Sequence, residues 1–136
     1  MEKALRKQLI DWANVDRKAH DALWTFGDEK TRSASRWIAI DELFQKKLWD
    51  VIEKHGLPGK KLVGEKGAIA FWELLQQTPD AKLQRECLKL MQESVKKKDF
   101  PETPLKYLTD RVCLLDGKKQ QYGTLSPFKP LNNRQK

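Results

Sequence analysis

Apolar residues recur along this chain at spacings of three and four, and the rhythm breaks at glycines and prolines. From about Glu2 to Trp24, the residues Leu5, Leu9, Trp12, Asp16, Ala19 and Leu23 step by 4-3-4-3-4, the spacing of one helical face. A second helix is expected from about Ala34 to His55. Ser33 is its candidate N-cap, Trp37, Ile40, Phe44, Leu48, Val51 and Ile52 line one side, and Gly56, Pro58 and Gly59 stop it. The stretch LPGKKLVG reads as a loop into a third helix, about Glu65 to Gln77. Ile69, Phe71, Trp72, Leu74 and Leu75 make that helix apolar on most sides, which predicts the most buried element. Thr78-Pro79-Asp80 breaks it. A fourth helix runs from about Asp80 to Lys98 on Leu83, Cys87, Leu90, Met91 and Val95. After the rigid connector Phe100–Pro104, Thr103 followed by Pro104 has the pattern of an N-cap and first helical residue. The fifth helix then runs to Leu115 on Leu105, Leu108, Val112 and Leu115. Alternating strand patterns are lacking, although VCLLDGKKQQYGTL admits a short C-terminal hairpin about Asp116-Gly117. The expected fold is all-α, a compact bundle of about five helices over residues 1–125, followed by a basic tail at 126–136.

Polar residues at core-facing positions carry the functional signal. Asp16 falls on the inner stripe of the first helix, with His20 one turn on, and Asp41 lies between Trp37 and Phe44. Gln76 shares a face with Trp72, Gln84 lies beside the Leu83/Cys87 stripe, and Arg111 follows Tyr107 by one turn. A buried charge must be paired, by other side chains or by a ligand. The segment Leu105–Thr124 concentrates such groups: Tyr107, Asp110, Arg111, Gln120 and Tyr122 within twenty residues. Two readings compete, a network that ties helices together and a polar pocket between helices. In the pocket reading Arg111 anchors a small anionic or phosphorylated ligand through its planar fork of donors. Asp16 and Asp41 orient Arg111 or accept ligand hydroxyls. Tyr107, Asp110, Gln76, Gln84, Gln120 and Tyr122 supply directed hydrogen bonds, and Trp37 and Trp72 the apolar walls.

Catalytic signals are weak. Asp16 and His20, four apart, have the spacing for a carboxylate to orient an imidazole, and Asp16 with Asp41 offers two acids without a third metal ligand. The stretch LPGKKLVGEKG has neither P-loop nor dinucleotide spacing, though Lys60 and Lys61 at a helix start favour anions modestly. No cofactor and no metal site are expected. Cys87 and Cys113 each sit beside a leucine in a helical pattern and read as free thiols.

At 136 residues the chain is expected to form one domain. Its five Trp and five Phe supply the large anchors that disordered chains lack. Of its net charge of +8, five units lie after Gly117 on Lys118, Lys119, Lys129, Arg134 and Lys136. The basicity is therefore mostly a tail, with a second cluster at Lys96-Lys97-Lys98 that complements the negative end of a helix dipole. Neither a signal peptide nor a membrane-length apolar run is seen, so a cytoplasmic location is expected.

Across residues 10–125 the chain resembles a bacterial family known only as a domain of unknown function. The shared pattern runs through Asp16, Trp37, Asp41, Gly56, Pro58, Val63, Gly64, Trp72 and Gln76. It continues through Gln84, Cys87, Leu88, Met91, Tyr107, the Thr109-Asp110-Arg111 segment, Gly117, Gln120 and Tyr122-Gly123-Thr124. Leu57, Gln77, His20, Phe44 and Leu125 stand where the family pattern has Trp, His, Arg, Asn and Gln. The resemblance implies no established activity, and its departures weigh against catalysis. The leading expectation is a ligand-binding helical protein. The alternative is a protein-interaction module, such as an immunity, antitoxin or phage counter-defence protein, and the third is nucleic-acid binding through the tail.

Overall fold

Among the described residues, five helices form where the periodicity is strongest: α1 (Lys3–Phe26), α2 (Ala34–His55), α3 (Lys60–Gln77), α4 (Ala81–Lys96) and α5 (Glu102–Leu115). The computed structural model describes residues 1–26, 34–78 and 80–125, and of residues 20, 22–26 and 34–41 the backbone alone. Ser33 and Pro79, the side chains of His20, Trp37 and Asp41, and the whole tail fall outside these bounds. The fold is all-α, and no strand occurs among the described residues. Among the described residues, no helix is long and apolar enough to cross a membrane.

The core is built around α3, whose Ala68, Phe71, Leu74 and Leu75 are sealed from solvent. Leu5, Leu9 and Ala13 of α1 pack on one side of it, and Phe44, Leu48 and Val51 of α2 on another. Leu83, Cys87 and Met91 of α4 with Leu108 and Val112 of α5 complete the cluster. Burial, followed by the charges of Glu86 and Asp80, pushes the Cys87 thiol up to about 12, so it serves as a small apolar group. α1 and α3 run in the same direction: Glu2 N–H donates to the Leu62 carbonyl at one end, and Arg17 bridges Glu73 near the other. α1 and α2 also meet, with Lys47 over the Trp12 ring.

The expected loop before α3 is one helical turn, Lys60–Val63, set off from the main rod by Gly64 (φ 73°, ψ 169°). That backbone region is open essentially to glycine alone. Gly59, the N-cap, offers no side chain to its helix, and Asp99 supplies the cap instead. Its carbonyl accepts from Lys60 N–H at 2.6 Å and its carboxylate from Lys61 N–H at 2.8 Å.

Other boundaries shift for similar reasons. α4 begins behind Asp80, whose carboxylate accepts from Leu83 N–H (3.1 Å) and from Trp49 Nε1 of α2 (2.7 Å). α5 starts earlier than expected, with Pro101 as N-cap in place of Thr103, so Pro104 is its third residue, where a missing N–H still costs nothing. The expected hairpin at Asp116-Gly117 does not form. Gly117 (φ 72°) closes α5, with Gly117 N–H on the Leu114 carbonyl and Lys118 N–H on that of Cys113, the paired bonds of a Schellman cap.

α4 ends in the same motif, with Lys98 at the left-handed position (φ 60°) and Lys98 and Asp99 N–H groups on the Val95 and Ser94 carbonyls. A β-carbon is strained there. Lys98→Gly is therefore expected to raise stability by about 0.5–1 kcal/mol, read as a higher denaturant midpoint at unchanged m-value.

Candidate functional site

The sequence-expected site residues separate into three groups. The first is a clasp at the end of α5. Asp110 lies fully buried on the helix, and its carboxylate gathers the segment that follows Gly117. Oδ1 accepts from the backbone N–H groups of Gln121 (2.8 Å) and Tyr122 (2.7 Å). Oδ2 accepts from Thr124 N–H (2.7 Å) and Thr124 Oγ1 (2.6 Å). Gln120 closes the loop by bonding both the carbonyl and the N–H of Leu125. Burial raises the pKa of Asp110, but the bonds from Thr124, Tyr122 and Gln121 outweigh it and hold the carboxyl below its ordinary value. Asp110 and Gln120 thus both spend their polar groups on the 121–125 segment. Tyr122 stays exposed beneath the Lys106 ammonium, 5.9 Å from its ring centre.

The second group joins α5 and α4 to the end of α3. Arg111 is half-buried and donates from Nη1 to the Gln76 carbonyl at 2.7 Å. It complements the negative end of α3, which has no basic residue in its own last turn. Burial lowers the pKa of its guanidinium, and no carboxylate among the described residues pairs with it. Gln84 is buried and donates to the Thr78 carbonyl at 2.8 Å, holding the turn between α3 and α4. Trp72 is a core residue, 7% exposed. Tyr107 lies on the exposed side of α5.

The third group is a cleft between α1 and α3. One cavity, about 240 Å³, is lined by Asp16, Asp21, Glu73, Gln76 and Gln77, with Ala13 and Arg17. A larger one, about 470 Å³, has a floor of Ile10, Ala13, Ile69 and Ala70. The two share Ala13, Arg17 and Glu73, so they form one groove along the parallel helices. Arg17 and Glu73 meet at 2.5 Å where the cavities join, and that bond and charge raise the Arg17 pKa against a small loss from burial.

Of the expected residues, Asp16 and Gln76 line this cleft; Arg111, Tyr107, Asp110, Gln84, Gln120, Tyr122 and Trp72 do not. The sequence marks Ile69 only as part of an apolar helix, and it does not mark Ile10, Arg17, Asp21 or Glu73 as site residues. The available signal was the pairing of Arg17 and Asp21, one turn apart, with an acid in the most apolar helix. No group of three potential metal-binding side chains occurs among the described residues. Compared with known proteins, the chain matches no family model, no curated sequence and no solved structure.

Proposed function

We propose that this protein is a small-ligand-binding helical domain whose site is the α1–α3 cleft. The observation that carries the reading is the continuity of an apolar groove of about 470 Å³ with a polar cavity of about 240 Å³ through shared walls. Binding sites for small organic molecules are concave, mostly apolar and carry a few convergent polar groups. The cleft has that composition, and its walls are helices rather than loops, so the polar groups are held in place before a ligand arrives. An anion held by Arg111 would sit elsewhere, beyond the Gln76 carbonyl.

A thermal-shift screen of amines, nucleotides, sugar phosphates and divalent metals separates these sites. A ligand at about 100 times its dissociation constant stabilises by roughly 2.7 kcal/mol. A hit lost in Ile69→Trp, which fills the groove, and kept in Arg111→Ala is the expected result. Loss in a folded Arg111→Ala alone would return the site to Arg111 and the ligand to an anion.

A second reading, as a protein-interaction module, is favoured by the outer side of α5. Tyr107, Leu114 and Leu115 recur at helical spacing beside the half-buried Arg111, with Leu114 49% and Leu115 45% exposed. Tyrosine and arginine flanked by leucines is a composition found at protein-binding hot spots. Recovery of one stoichiometric partner, lost when Leu114 and Leu115 are both changed to Glu, is the result that would support it.

A further inference from the structure

The cleft also has a polarity, and it follows from which way the helices run. α1 and α3 are parallel, so the C-terminal end of α3 lies at the Asp16–Asp21 end of the groove. The unsatisfied carbonyls of a helix C-terminus carry about half a negative charge. Among the described residues lining this end, Asp21 and Glu73 add two carboxylates, against the guanidinium of Arg17. Arg111 offsets the helix end through the Gln76 carbonyl but lines neither cavity. At the opposite end Glu65 and Lys66 bring one charge of each sign. The groove therefore runs from a neutral apolar end to a negative polar end, over a length of about 16 Å at the helical rise of 1.5 Å per residue.

We infer that the ligand is an amphipathic cation, an apolar body ending in an ammonium or guanidinium group, lying along the α1–α3 groove with its charge at Glu73. This rests on the cleft being the site. The apolar body covers Ile10, Ala13, Ile69 and Ala70, and the cationic head is drawn to the carboxylate end. Anions are excluded by the same charges, and a purely polar cation forgoes the apolar half.

Arg17 has a definite place in this arrangement. It already sits on Glu73 at the junction of the two cavities, occupying the position a ligand cation would take. Both partners are substantially exposed, so the pair is weak and readily exchanged. Ligand entry swaps one cation for another on Glu73, and the released Arg17 side chain turns to solvent. Arg17 is thus a built-in competitor. Removing it is expected to tighten binding, whereas neutralising Glu73 is expected to weaken it. A general loss of fold would move both variants the same way.

The test uses n-octylammonium, n-octanoate and n-octanol as probes of one chain length, followed by calorimetry and by NMR shifts of the Ile10 and Ile69 methyl groups. n-Octylammonium is expected to bind with shifts at both methyls, and the other two at least about tenfold more weakly. Glu73→Gln should weaken the ammonium about tenfold and Arg17→Gln should strengthen it, with both melting close to the parent. Equal binding of octanol or octanoate at the same methyls would overturn the cationic ligand class and leave the cleft as the site. No methyl shift with any of the three probes would overturn the cleft reading and this inference together. Equal effects of the two variants would remove Arg17 from the role of competitor.

Discussion

Asp110→Ala is expected to destabilise the fold by about 3 kcal/mol and to strip residues 118–125 of their protection in hydrogen exchange. Four donors converge on this carboxylate, three of them backbone N–H groups that no secondary structure would otherwise satisfy. Hydrogen bonds to a charged acceptor are worth about 1.5–3 kcal/mol each when removed singly. The sum is reduced because Gln121 and Tyr122 are exposed, and their amides can turn to water once the clasp opens. Asp110→Asn keeps the shape but presents an amide N–H to a donor, so a substantial part of the loss should remain. The same carboxylate gives the protein an acid-sensitive element. Its folded pKa lies below that of the unfolded chain, about 3.9, so the unfolded state takes up the proton first as pH falls. The contribution is complete well above pH 4 and is lost as pH falls through the folded value. A shift of the acid-unfolding midpoint to higher pH in Asp110→Asn, by urea titration at a series of pH values, is the expected signature. An unchanged midpoint would show that the clasp adds little to global stability.

Gly59→Ala is expected to cost about 2–4 kcal/mol, more than the usual change at an exposed helix start. A methyl group there would lie 2.2 Å from the Asp99 carboxylate oxygen and 2.7 Å from the Asp99 carbonyl oxygen. The side-chain oxygen can swing away, but the backbone oxygen cannot move without shifting the Schellman turn that ends α4. Both bonds that cap Lys60 and Lys61 would be lost with it. Asp99→Ala removes only the side-chain part and should cost about 1 kcal/mol, the usual value of a helix cap. Equal costs for the two changes, measured by denaturant unfolding, would show that contact with the Asp99 backbone is unimportant.

The helices were legible from periodicity because each buries one side, and a spacing of three and four specifies that side without reference to any neighbour. Asp16 and Gln84 were legible as inward polar residues for the same reason. Asp110 was visible as a polar residue of interest, but its partners were not. They are backbone amides of a segment lacking hydrophobic rhythm, and amides leave no mark in a sequence. The first turn of α3 read as a loop because its cap comes from Asp99, remote in the chain. The cleft acids Asp21 and Glu73 escaped notice because a carboxylate on a half-exposed helix face is ordinary. Only the parallel packing of α1 against α3 gathers them, and packing direction is not encoded in either helix alone.

The distant cap on α3 also couples segments that lie far apart in the chain. The Lys60–Val63 turn has only one internal turn of hydrogen bonds, and Gly64 disconnects it from the rod that follows. Its donors find acceptors only after α4 has formed and its terminal turn has been brought back across some 38 positions of chain. Closing a loop of that length costs entropy that the turn cannot recover alone, so the turn depends on the rest of the fold for its stability. The Leu62 carbonyl of the same turn receives the Glu2 amide and so ties the start of α1 to it. The start of α1, the break in α3 and the end of α4 are thus joined by hydrogen bonds although far apart in the chain, and a change at any one of them is expected to alter hydrogen-exchange protection at the other two.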